Sequence, residues 1–185
     1  MKRLFVTLGA LALLLTAGCG SSAPPTEHPS AQQTDAKLKG SPPPLKAVHD
    51  QANQLIGGGN AALNDRIRQL RGYPVVVNFW GSWCGPCRDE FPIFQRTALA
   101  QGRRVAFLGV DVQDSKDGAA KFLRKAPVTY PSYSDPQKKI ATSYGLIGTP
   151  STAFYDRKGK RAFLHQGPYQ SQSDLESDIR RYASA

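Results

Sequence analysis

The chain has 185 residues, 40% of them hydrophobic, which is room for one domain with a core of its own. Its formal net charge is +10, but the basic residues are dispersed and carry no interleaved aromatics. That argues against nucleic acid and leaves a basic surface able to meet an anionic membrane or acidic partners. Three cysteines and three scattered histidines (His28, His49 and His165) do not supply the second ligand pair that a zinc site needs, so no metal is expected.

At the start, Lys2 and Arg3 precede an apolar run from Leu4 to Leu15. The run falls short of the roughly twenty residues that span a bilayer as a helix, and it suits the core of a signal peptide over residues 1–18. It ends in Leu15-Thr16-Ala17-Gly18-Cys19, which resembles the lipobox of bacterial lipoproteins. The resemblance implies cleavage before Cys19 and a lipid on its thiol, although Thr16 departs from the usual leucine. Ordinary signal cleavage nearby is the alternative, and it leaves Cys19 as an odd thiol. Loss of Lys2 and Arg3 leaves 22 of the 24 basic residues against 14 acidic ones, a mature charge near +8.

Residues 19–44 are rich in Pro, Ser, Gln and Lys, with Leu38 the one large apolar side chain and Pro42-Pro43-Pro44 at the end. Such a segment cannot bury enough to fold, so it is expected to be a disordered tether that stiffens into polyproline. The folded domain is expected over residues 45–185. Leu63, Ile67 and Leu70 recur at helical spacing, which predicts a helix over 61–70 closed by Gly72. The three glycines Gly57 to Gly59 just before it have no evident role.

Next comes a charge-free β-branched strand from Pro74 to Trp80, running into Cys84-Gly85-Pro86-Cys87 and a helix from Cys84 to about Ala100. A second buried strand is expected over 104–111, a helix over 115–125, a short extended piece at 130–133, and a helix over 137–144 closed by Gly145. A hairpin over 151–165 turns at Asp156-Arg157-Lys158-Gly159, and a terminal helix runs over 173–182.

Two cysteines three apart at a helix start can form a disulfide in a small loop. The first sits where the helix dipole and unpaired N–H groups favour a thiolate. A static staple here would cross-link almost nothing, so the pair points to a bond made and broken in turnover. Cys84 is the expected attacking thiolate, exposed at the helix N-terminus. Cys87, one turn deeper, is expected to resolve the mixed disulfide.

The Trp83-Cys84-Gly85-Pro86-Cys87 motif resembles thioredoxin. Phe91-Pro92 follows at that family's spacing, and Gly148-Thr149-Pro150 falls where the family has its cis-proline. VVVNFWGSWCGPCRDEFP, FLGVDVQD and YGLIGTPSTAFYDRKGK are similar to the TlpA/ResA-like branch of membrane-tethered thioredoxin domains. The resemblance covers about residues 60 to 184. It implies an α/β thioredoxin fold, a central mixed β-sheet flanked by helices, with a TlpA/ResA-like central insertion.

It further implies an extracytoplasmic thiol–disulfide oxidoreductase on the outer face of the bacterial cytoplasmic membrane, with no cofactor. Exported protein thiols would be its substrates, with apocytochrome c maturation one such role, and a membrane electron donor would feed it. Gly85 and Pro86 match thioredoxin, at about −270 mV the reducing end of the range. Thr149, before a cis Pro150, would offer backbone to a substrate strand, and Trp83 an apolar contact, while Trp80 belongs in the core.

Asn78 replaces the buried aspartate of thioredoxin and cannot titrate. Glu90, three residues beyond Cys87 on the same helical face, is the candidate proton acceptor, against its reading as a surface acid near a helix start. Other readings keep different chemistry. A disulfide-forming oxidase reverses the flow. A peroxiredoxin-like peroxidase wants a lone cysteine in a T-x-x-C setting. A copper-delivery protein wants C-x-x-x-C with a distal histidine.

Overall fold

The computed structural model describes residues 29–183. The signal segment and Cys19 lie outside them. Among the described residues no helix is long and apolar enough to cross a membrane.

Six strands form one mixed sheet in the order β1-β4-β3-β2-β5-β6. These are β1 (Leu55–Ile56), β2 (Val75–Trp80), β3 (Ala106–Val112), β4 (Ser132–Asp135), β5 (Ser151–Tyr155) and β6 (Arg161–Gln166). β1, β4, β3 and β2 are mutually parallel, while β5 runs antiparallel to β2 and β6 to β5. The central strand β2 is buried along its whole length, which is why it is β-branched and uncharged rather than alternating. Its neighbouring residues point to opposite faces. Phe79 meets Tyr144 of α6 (Lys139–Tyr144), whereas Trp80 meets Phe91 of α4 (Gly85–Gln101) and Phe122 of α5 (Lys116–Lys125). Helices therefore cover both faces, with the active-site helix on the side of Asn78 and Trp80.

The expected elements are present, with shifted ends. The helix expected over 61–70 is α3 (Gly59–Gln69), and it begins two residues earlier because Gly58 caps it with φ +94°. A side chain at Gly58 would meet the Ala62 Cβ at 2.8 Å, so the glycine run is the hinge that turns the chain into the helix. α4 runs through Pro92 without interruption. The terminal helix α7 (Gln172–Asp178) is capped by Ser171 and passes into a π-helical turn, Ile179–Ala183. β1, two residues paired with Ser132 and Tyr133, is not foreshadowed by the sequence pattern.

The tether expected to run to residue 44 needs correction. α1 (Ala31–Leu38) and α2 (Pro43–His49) are helical, and Leu38, Leu45 and Val48 are buried. Ser30 and Gln33 form a capping box at the start of α1. Pro43 and Pro44 occupy the first turn of α2, where a missing N–H costs nothing, so the proline run starts a helix instead of a polyproline rod. His49 then ties α2 to the sheet domain, its Nδ1 3.2 Å from the Thr129 carbonyl and Nε2 3.0 Å from that of Gly102.

Candidate active site

β2 delivers the chain to its C-terminal end at Trp80, and the loop Gly81 to Cys84 carries it onto α4. Three contacts hold that loop. The Ser82 N–H donates to Asp114 Oδ2 at 2.5 Å, Arg88 Nη1 donates to the Ser82 carbonyl at 3.0 Å, and Trp83 Nε1 donates to the Val112 carbonyl at 3.1 Å. Trp83 is nonetheless half exposed, as expected, and Trp80 is in the core.

Cys84 is the N-cap of α4, and its Sγ accepts the Cys87 N–H at 3.2 Å. The two cysteines are joined in a disulfide, with Cα atoms 5.3 Å apart. Cys84 was expected to be exposed, yet only 4% of it is, against none of Cys87. The bond draws its sulfur onto the first turn of the helix. Of the two, only Cys84 keeps any exposed surface.

Thr149–Pro150 is cis. Thr149 lines two depressions beside the disulfide. One, of about 60 Å³, includes Trp83, Val112 and Leu146. The other, of about 400 Å³, is bounded by Pro86, Ile147, Pro150, Gln166 and Pro168. Ile147 and Trp83 are the exposed large hydrophobic residues among those described. The two apolar side chains and the Cys84-Gly85-Pro86-Cys87 turn thus share one end of the molecule.

Glu90 is not a surface acid. It is 1% exposed, its Oε1 accepts the Asn78 side-chain N–H at 2.8 Å and its Oε2 accepts the backbone N–H of Tyr169 at 2.9 Å. Burial pushes its pKa up from 4.5 to about 7, against the lowering pull of those two hydrogen bonds. Asn78 Oδ1 and the facing Thr152 Oγ1 are buried without partners, so the pocket around the carboxyl is polar but incompletely paired.

Sequence reasoning missed Tyr169, whose hydroxyl donates to Asp178 at 2.6 Å, because its role depends on a backbone N–H brought from 79 residues away. It also missed Asp111 and Asp114. Two acids at the end of the apolar run FLGVDVQD were the available signal. His165, the distal histidine of the copper reading, stacks on Tyr169 at 4.3 Å.

The chain matches the AhpC/TSA family over residues 48–162. It is 34% identical to the thiol-disulfide oxidoreductase ResA of Geobacillus thermodenitrificans, across 62% of this chain and 66% of that one. It is likewise 34% identical to the thiol:disulfide interchange protein DsbE of Pseudomonas aeruginosa, across 73% and 67%. The chain spans between 53% and 67% of the length of these and similar ResA, DsbE and CycY relatives. Among solved structures, a putative DsbE from Chlorobium tepidum superposes with a TM-score of 0.56 at 30% identity, over 60% of this chain and 80% of that one. Mycobacterium tuberculosis DsbF gives 0.57 at 29%, over 62% and 84%. The chain belongs to the AhpC/TSA family, in the TlpA/ResA-like branch of thioredoxin-fold proteins.

Proposed function

We propose that the chain is an extracytoplasmic thiol–disulfide oxidoreductase that reduces disulfides of exported proteins, apocytochrome c during haem attachment among them. The observation that carries this reading is a C-x-x-C disulfide at the start of α4 with a buried acid one turn beyond it. In the dithiol form Cys84, as thiolate, attacks a substrate disulfide. One substrate sulfur leaves, and the other stays bonded to Cys84. Cys87 then gives up its proton and attacks Cys84 Sγ, expelling the second substrate thiolate and closing the Cys84–Cys87 bond. Two electrons have passed to the substrate, and a membrane electron donor must return them.

Asn78 cannot take the Cys87 proton, whereas Glu90, with a pKa of about 7, can hold or release one near neutrality. Trp83, Ile147 and the cleft beside Thr149 and Pro150 supply an apolar seat and free backbone for an extended substrate. Gly85 and Pro86 support a reducing potential. A lipid on Cys19 would hold the domain at the outer membrane face. A lone-cysteine peroxidase is disfavoured by the pairing of Cys84 with Cys87.

The test is capture of the intermediate. Cys87→Ser is expected to accumulate a mixed disulfide with substrate through Cys84, and Cys84→Ser little. Equal trapping by both variants would overturn the assignment. A reduction potential of about −250 mV or below supports the reductant, and one near about −120 mV supports an oxidase.

A further inference from the structure

β3 holds a second buried acid that the exchange reaction does not use. Asp111 is 1% exposed and sits in register with Trp80 of β2 and Ser134 of β4. Its carboxyl is hydrogen-bonded to that of Asp114, and its Oδ1 has no partner. Asp114 accepts two backbone N–H bonds, from Ser82 at 2.5 Å and from Ser115 at 2.7 Å, the pattern of a carboxylate. Two carboxyl groups share a hydrogen bond only if one carries a proton, and here that one is Asp111.

The surroundings keep the proton in place. Burial is the largest influence on Asp111, followed by Asp114 and then Asp135 of β4, and together they push its pKa up to about 8. Asp135 is itself anchored by the Ala141 N–H of α6 at 2.9 Å. From α4, Arg88 reaches the Ser82 carbonyl, and α5 presents Lys116 and Asp117 in its first turn. Lys138 lines the small depression beside Trp83 and Val112. The junction is closely built. A Cβ at Gly118 of α5 would lie 2.8 Å from Asp114 Oδ1 and 3.1 Å from Ser82 Oγ, so any side chain there would have to push the Asp114 carboxyl aside.

We infer that Asp111 is a positioning residue for the nucleophile: the proton it shares with Asp114 fixes the Ser82 amide, and so the Ser82-Trp83-Cys84 loop, while keeping one rather than two negative charges behind Cys84. This rests on the proposed role of Cys84 as the attacking thiolate. Ionisation of Asp111 sets two carboxylates side by side, strains the tie to Ser82 and disfavours the thiolate.

The experiment uses the oxidised protein, in which neither cysteine titrates. The Ser82 amide resonance, followed by NMR from pH 5 to 10, is expected to inflect near pH 8, the titration of Asp111. Asp111→Asn keeps a donor to Asp114 and is expected to abolish the inflection, whereas Glu90→Gln retains it. A flat Ser82 profile in the wild type, or an inflection that survives Asp111→Asn, overturns the proposal. Should Asp111→Asn fail to fold, the Asp111 carboxyl carbon resonance decides the matter in the wild type. A midpoint above about pH 7 supports the shared proton, and one near the ordinary value of about 4 overturns it.

In the reduced protein, where Cys84 is the thiolate, the Asp111 midpoint is expected to lie about half a pH unit higher than in the oxidised protein, and an unchanged midpoint overturns the link to the nucleophile. The Ser82 titration involves no thiol. Its failure leaves the exchange reaction standing, and the Cys87→Ser trapping experiment can fail without touching it.

Discussion

Glu90 sits three residues beyond Cys87, and its two oxygens are already occupied by Asn78 and the Tyr169 backbone. A carboxylate so placed has lost its water but kept two donors, so it balances near neutrality instead of ionising at pH 4.5. The folded chain then holds a proton that the unfolded chain has released anywhere between pH 4.5 and about 7. Stability should fall as pH rises through that window, by up to about 1.4 kcal/mol per pH unit from this group. Glu90→Gln should flatten that part of the denaturation profile. Its new amide can donate to Asn78 Oδ1, which has no partner, once the Asn78 amide turns over. The same variant should fold, bind substrate normally and shift the pH dependence of Cys87 alkylation by about one unit or more. Thiol titration curves identical to wild type would show that the proton leaves by another route.

α2 is seven residues long and starts on two prolines, far too short to persist by itself in water. Its helicity comes from Leu45 and Val48, both fully buried in the main core. Leu45→Ala should therefore cost about 2–5 kcal/mol in chemical denaturation, the range for a buried leucine. A loss below about 0.5 kcal/mol would mean that α2 does not dock on the core in solution.

This element marks the limit of what the sequence makes legible. β2, the disulfide turn and α4 could be read because a β-branched run and a C-x-x-C pair act locally. Glu90 could be placed because three residues along a helix is a fixed geometry. The proline run was misread, since polyproline and the first helical turn accept the same φ and only docking of Leu45 chooses between them. Ser30-Ala31-Gln32-Gln33 did carry a capping-box signal for α1. β1 and the Asp111–Asp114 contact had no such local sign beyond acids ending an apolar strand. β1 is defined by its pairing with the distant β4, and the Asp111–Asp114 contact by the turn at Gln113, where φ is +50°.

For the molecule as a whole, the proposed anchor separates location from folding. The described residues pack without Cys19, so Cys19→Ala should release the protein from membrane fractions and leave its thermal unfolding midpoint unchanged. A variant that still sediments with membranes would show that something other than a lipid holds it there. The docking of α1 also sets a distance. A tether free to residue 44 would reach at most about 85 Å, whereas a chain gripped from Ser30 onward gives Cys19 a span of at most about 40 Å. A lipid at Cys19 would then confine the Cys84–Cys87 end to a thin shell above the bilayer, raising its effective concentration toward membrane-held donors and newly exported chains over freely diffusing proteins.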